Sequence, residues 1–192
     1  MNPIHDIDTG ALALDDWHRH LLDVEHGLGG RLRVIDGPLH HFASVAEERE
    51  WIVGFLSGRP GSNLRQLLSE AFDLPLANMA RPTRSRLEDA ALRSYQSFVA
   101  PALSPSVLDI RPAVDEAGGE VDRFDAQLAG FMLDLAKAAA TNGVGVALLV
   151  EGSEYIPQSN LESLRTMAST AERGGWPVLV LISGNPGPTR QS

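Results

Sequence analysis

Two uninterrupted apolar segments in the last third of the chain constrain its fold more than any other feature. The first covers 144–150 (VGVALLV) and the second 178–183 (VLVLIS). Such segments are typical of strands that are covered on both faces of a parallel sheet. Between them, Leu161, Leu164 and Met167 recur at helical spacing, which predicts a strand, helix and strand in succession. The sequence therefore predicts an α/β fold, a three-layer parallel sheet with helices on both faces.

The preceding part of the chain supplies two further strands and several amphipathic helices. The strands are predicted at 31–36 (RLRVID) and 51–56 (WIVGFL), each followed by turn residues. Helices are predicted over 11–28 and 41–50, and after three capping signals, which are Asn63, Ser85 with Glu88, and Ser159 with Glu162.

Connections between these elements bear on the number of domains. Pro75 and Pro82 are predicted to bracket one connection. Segment 101–120 is rich in Pro, Ser and Gly without periodicity, which predicts a long irregular connection. The parts on either side of it are short for separate domains, and 192 residues fit one compact domain. We therefore expect a single domain over 1–192.

Composition excludes several classes of function. The chain has no cysteine, which excludes disulfide scaffolds, thiol nucleophiles and cysteine-bound metals. Its net charge of −9 argues against direct nucleic-acid binding, because affinity for phosphates comes mainly from clustered cations. No apolar run reaches the roughly 20 residues of a membrane span, and the first residues lack a signal-peptide pattern. The expectation is a cytoplasmic protein without a membrane partner.

The end of the first predicted strand has the spacing of a P-loop without its chemistry. A P-loop reads G-x-x-x-x-G-K-[ST]; its amides and lysine hold phosphates, and its hydroxyl binds Mg²⁺. Gly37 takes the place of the first glycine and Ser44 that of the hydroxyl. Phe42 and Ala43 replace the second glycine and the lysine, and we expect Phe42 to obstruct the amide cradle. The only lysine of the chain, Lys137, belongs to another predicted helix.

The end of the third predicted strand is altered in a similar way. A Walker B strand ends in an aspartate that binds Mg²⁺, commonly followed by an acid that polarises water. Glu151 stands at the metal position and Gly152 at the position of the second acid. Because both halves of the phosphoryl-transfer machinery are altered, no catalytic residue, metal or cofactor is expected. The remnant of a nucleotide site would consist of Gly37, Pro38, Ser44 and Glu151.

With these motifs in this order, the chain resembles a known family over about 11–184. It is similar to the ATPase domain of the large ATP-binding LuxR-type transcription regulators of actinobacteria, a branch of the STAND class of P-loop NTPases. The family's strand order places the first strand between the fourth and the fifth. The sequence ends soon after the fourth strand, so the resemblance implies that the fifth core strand is missing. Strand 31–36 would then lie at an edge of the sheet.

The resemblance implies a non-catalytic, P-loop NTPase-like protein that acts by protein contact, as a modulator of transcription regulators. An exposed edge strand invites pairing with another chain, so a protein partner or a second copy is expected there. Arg31 and Arg33 alternate along this strand. Charged side chains can protect an edge strand from pairing with another chain, so these arginines argue for a protected edge instead.

Other functions remain open. One is a nucleotide-binding switch that does not hydrolyse ATP. Another is a hydrolase whose divalent metal is held at the strand ends. A decayed gene product or a piece of a longer protein is the remaining interpretation. The residues of the metal hypothesis are Asp36, His40, His41 and Glu151.

Overall fold

A parallel sheet forms the centre of the molecule. The computed structural model describes residues 14–26, 28, 32–35, 38–79, 85–103 and 117–183. In this part of the chain, the strand order is β1-β4-β3-β2, and all neighbours are parallel. Both β1 and β2 are therefore edge strands, and no fifth strand lies beside β1 among the described residues. The strands are β1 (Leu32–Ile35), β2 (Ile52–Ser57), β3 (Val146–Glu151) and β4 (Val178–Ser183).

Helices cover both faces of this sheet. The first two pack on one face and the other four on the opposite face, which confirms the predicted three-layer α/β fold. None of the described helices is both long and apolar enough to cross a bilayer. The helices are α1 (Leu14–Glu25), α2 (His40–Glu48), α3 (Leu64–Met79), α4 (Arg86–Leu103), α5 (Ala117–Thr141) and α6 (Gln158–Arg173), with a one-turn 3-10 helix at Ser153–Tyr155.

The core consists of two apolar layers separated by the sheet. Along β3, Leu148 and Val150 contribute to the layer beneath α3–α6, whereas Ala147 and Leu149 contribute to the layer beneath α1 and α2. All four side chains are fully buried. Burial on both faces explains why this strand is an unbroken apolar run rather than an alternating one.

Two of the predicted capping signals are confirmed. The amide of Ser85 donates to Glu88 Oε2 at 2.7 Å, and the amide of Glu88 donates to Ser85 Oγ at 3.2 Å, which is a complete capping box. Asn63 Oδ1 accepts a hydrogen bond from the amide of Arg65 at 2.9 Å. These short polar side chains satisfy amides that the first helical turn leaves without a partner.

Two other predicted boundaries are wrong. Helix α3 continues through Pro75 instead of ending before it. Its neighbours Phe72 and Leu76 are fully buried against the sheet, and this packing outweighs the roughly 3 kcal/mol cost of an internal proline. Helix α6 begins beside Pro157, without a side-chain cap, and Ser159 lies inside it. The carbonyl of Pro157, the N-cap residue, accepts the first hydrogen bonds of this helix, from the amides of Asn160 at 2.9 Å and Leu161 at 3.2 Å.

The predicted irregular connection is shorter than expected. Helix α4 extends to Leu103 and α5 begins at Ala117, so both ends of 101–120 are helical. Residues 104–116, like Pro82, lie outside the described residues.

Helix α1 is held to the segment between α2 and β2 by a carboxylate that accepts three hydrogen bonds. Arg49 donates to both oxygens of Glu25, from Nε at 3.0 Å and from Nη2 at 2.7 Å. Trp51 Nε1 donates to the same carboxylate at 2.7 Å. Burial by itself raises the pKa of Glu25, but the hydrogen bonds from Arg49 and Trp51 outweigh it and lower that pKa. The folded state therefore favours the charged form of Glu25.

We expect Glu25→Ala to lower the free energy of unfolding at neutral pH by about 1–2 kcal/mol, because hydrogen bonds to a charged group are lost. Since the pKa of Glu25 is lowered in the folded state, its stabilisation is present above the ordinary glutamate pKa and disappears as the pH falls through the folded-state value. Urea denaturation at neutral and acidic pH measures this difference. Glu48→Ala, an exposed change on α2, is the control. Equal midpoints for Glu25→Ala and the wild type at neutral pH would contradict the assignment.

Candidate functional site

The candidate site lies where β1 and β3 end, at the carboxyl edge of the sheet. Ligands of open parallel sheets bind at this edge, beyond the strand ends. Glu151 is the last residue of β3, and its Oε1 accepts a hydrogen bond at 2.9 Å from the backbone amide of Leu39. Leu39 immediately precedes α2. The structure thus brings Glu151 to Leu39, at the start of α2.

The carboxylate of Glu151 has the position that an anion would take at the start of α2. A helix N-terminus carries partial positive charge and free amides, and it binds phosphates and carboxylates alike. A negative side chain there stabilises the helix by about 0.3–1 kcal/mol. The Glu151 carboxylate belongs to the protein itself, so the amide of Leu39 has an anionic acceptor without any ligand.

The loop that would enclose phosphates is shortened. In a P-loop the residues between the two glycines stay outside the helix, so that their amides can surround the ligand. Here α2 begins at His40, two positions before Phe42. The amide of Ala43 donates to the carbonyl of Leu39 at 3.0 Å. The amide of Ala43 therefore forms a helical hydrogen bond and is not free to bind a ligand.

Phe42 does not have the role expected from the sequence. Its ring packs edge-on against Trp17 of α1, with ring centroids 5.1 Å apart, and its carbonyl accepts a hydrogen bond from Trp17 Nε1 at 3.3 Å. Ala43 is buried in the same apolar layer. The group that lies at the turn amide is therefore the Glu151 carboxylate and not the aromatic ring.

The other residues predicted for the nucleotide site are only partly described. Gly37 lies outside the described residues. Pro38 and Ser44 are exposed, and the Ser44 hydroxyl donates to the carbonyl of His40 at 3.1 Å, within the helix. Lys137 lies on α5, with its ammonium 3.8 Å from Asp134 and 5.3 Å from the centre of the Trp176 ring. The ammonium group of Lys137 therefore interacts with Asp134 and Trp176, and it does not take the place of the P-loop lysine.

The histidines of the metal hypothesis lie on α2. The ring of His40 stacks on Phe55 of β2, with 5.0 Å between centroids and 4° between planes, and His41 is exposed. Asp36 lies outside the described residues. Within the described part of the chain, no group of three or more His, Asp or Glu side chains is placed to hold a metal ion.

A close contact between two glycines, which the sequence analysis missed, fixes the backbone beside Glu151. The amide of Gly58, just after β2, donates to the carbonyl of Glu151 at 2.8 Å. Gly152 has a φ of +66°, and a Cβ built on it would lie 2.5 Å from the carbonyl oxygen of Gly58. The sequence does contain a signal for this contact, since each of these two neighbouring strands is followed directly by a glycine.

Neither a protein family, nor a curated protein, nor a solved structure matches the chain.

Proposed function

We propose that this chain is a non-catalytic, P-loop NTPase-like protein that acts by protein contact. The observation that carries the proposal is the hydrogen bond between the Glu151 carboxylate and the amide of Leu39. A phosphate brought to this amide would meet a negative charge. Two like unit charges about 4 Å apart repel by about 4 kcal/mol near a protein surface. This repulsion exceeds the attraction between a helix N-terminus and an anion, which is about 0.3–1 kcal/mol. The Ala43 position supplies no cation to offset that repulsion.

The contact role is supported by the position of β1, which is an edge strand in the part of the chain that the structure describes. An edge strand presents unpaired peptide groups, which a strand from another chain can bind. We extend the proposal to a cytoplasmic protein whose partner is a second copy or a regulator protein, since the resemblance to regulator ATPase domains implies such partners.

Calorimetry with ATP and Mg²⁺ tests the non-catalytic role. We expect neither binding nor turnover at millimolar ATP for the wild type, and the same for Glu154→Gln, an exposed acid in the 3-10 helix. Binding in the micromolar range would favour a nucleotide switch instead. ATP turnover that disappears in Glu151→Gln would show catalysis and overturn the proposal.

Amide hydrogen exchange at Leu39 tests the occupied amide directly. In Glu151→Ala the acceptor is removed, so we expect exchange at Leu39 to accelerate by about tenfold or more, because a hydrogen bond to a charged group contributes about 1.5–3 kcal/mol and each 1.4 kcal/mol is tenfold. Glu151→Gln retains an oxygen acceptor and should give a smaller change. Unchanged exchange at Leu39 in Glu151→Ala would show that the carboxylate is not the group that protects this amide.

Sedimentation velocity over a range of concentrations tests contact between two copies. We expect a concentration-dependent dimer if β1 pairs with β1 of another copy. A strict monomer at high concentration would exclude the second copy and leave a different protein as the proposed partner.

A further inference from the structure

The second edge of the sheet, at β2, has a defined orientation of its peptide groups. Among the described strands, β2 pairs with β3 alone. The amide of Ile52 donates to Gly145 at 3.0 Å, and the amide of Gly58 donates to Glu151 at 2.8 Å. The even-numbered residues of β2 therefore direct their peptide groups toward β3.

The odd-numbered residues direct theirs away from the sheet, because peptide groups alternate in direction along a strand. These residues are Val53, Phe55 and Ser57. No described residue forms a backbone hydrogen bond with their outward amides and carbonyls. The free edge of β2 can therefore accept an added strand in the described part of the molecule.

A groove lies at the start of β2, and Asn142 and Val144, just before β3, also line it. Its volume is about 740 Å³, and its apolar lining includes Trp51, Val53 and Leu74. Leu74 is 70% exposed, so its side chain is available for contact with a partner. A second cavity of about 420 Å³, lined by Phe55, Ser57 and Arg59 among others, lies at the other end of the strand. A cavity therefore borders each end of β2.

Charge identifies the kind of segment that fits the larger groove. Among the described residues that line it, three are glutamates, Glu47, Glu50 and Glu88, and none is a lysine or an arginine. A second copy would bring the same three acids and its own net charge of −9, so charge opposes self-pairing here. A basic segment has the complementary charge.

We propose that β2 binds an extended, basic and apolar segment of a partner protein as an additional strand. The segment's backbone pairs with Val53 and Phe55, and its apolar side chains contact Leu74. Its arginine or lysine side chains lie beside Glu47 and Glu50. This inference rests on the proposed contact function. It adds the surface that makes the contact, which is β2 and not β1, and the chemistry of the partner.

The test is an NMR titration of the ¹⁵N-labelled chain with a blocked six-residue peptide that alternates arginine and valine. We expect amide shifts confined to β2 and to the region of Leu74, with a dissociation constant below about 1 mM. The affinity should fall by about tenfold in the double variant Glu47→Gln, Glu50→Gln, and it should weaken with salt. Glu48→Gln, on the same helix but outside the groove lining, is the matched control and should bind like the wild type.

Several outcomes would overturn the inference. These are no shifts at millimolar peptide, equal binding of a peptide that alternates glutamate and valine, or shifts confined to Leu32–Ile35, which would place strand addition at β1. Shifts of the β2 amides that depend on protein concentration, without peptide, would identify a second copy as the occupant. None of these results affects the ATP measurements, so failure of this inference and failure of the non-catalytic role are distinguishable.

Discussion

Replacing Phe131 with alanine is expected to lower the free energy of unfolding by about 3–5 kcal/mol, the usual range for a fully buried phenylalanine. Phe131 lies on α5 and is 1% exposed. Its ring centroid lies 5.5 Å from those of Phe72 and Tyr95 and 5.6 Å from that of Phe98. Because these neighbours belong to α3 and α4, a single ring joins three helices on one face of the sheet.

Urea denaturation followed by circular dichroism measures this loss. Phe131→Leu keeps most of the side-chain volume and should cost less than about 1.5 kcal/mol, so it gives a folded reference if the alanine variant unfolds. Leu74→Ala removes an exposed apolar side chain from α3 and should change the free energy of unfolding by less than about 0.5 kcal/mol. A midpoint for Phe131→Ala equal to that of Leu74→Ala would contradict the central position of this ring.

The tyrosine beside Phe131 provides a second measurement. Burial raises the pKa of Tyr95, and its hydroxyl donates to the carbonyl of Ser69 at 2.8 Å. We expect Phe131→Leu to loosen the packing around Tyr95 and to let water approach the Tyr95 hydroxyl. We therefore expect the pKa of Tyr95 to move down toward the ordinary value, which a spectrophotometric titration detects.

The sequence predicts the sheet well because the information is local. Runs such as 146–151 are apolar at every position until Glu151, a pattern that a strand covered on both faces requires. The capping box of Ser85 and Glu88 is equally local, since its two residues are three positions apart. Element type and order follow from such patterns without knowledge of the packing.

The site is harder to predict because its decisive contact is not local. Leu39 and Glu151 are 112 positions apart, and nothing in either segment specifies a hydrogen bond between them. The P-loop frame predicts that the two strand ends meet, yet it assigns the obstruction to Phe42. Where that ring points depends on Trp17, another distant residue. Single-sequence patterns therefore predict which strand ends meet, whereas side-chain packing decides which group occupies the space.

Replacing Gly58 with alanine is expected to destabilise the chain by about 3 kcal/mol, the upper part of the range for overpacking. A Cβ on Gly58 would overlap the carbonyl oxygen of Gly152, and this neighbour is backbone, which cannot move aside by changing a rotamer. The ends of β2 and β3 would have to separate. That separation would strain the hydrogen bond from the Gly58 amide to the carbonyl of Glu151.

The same substitution elsewhere separates this steric effect from a general effect of alanine. Gly130 lies exposed on α5, and a Cβ there would contact nothing within 4 Å. Gly130→Ala should stabilise the helix by about 0.5–1 kcal/mol, so the two Gly→Ala variants are expected to shift the urea midpoint in opposite directions. Gly58→Ala should also accelerate amide exchange at Leu39, because Glu151 moves with the end of β3. A stable Gly58→Ala variant with unchanged exchange at Leu39 would mean that the glycine contact does not position the carboxylate.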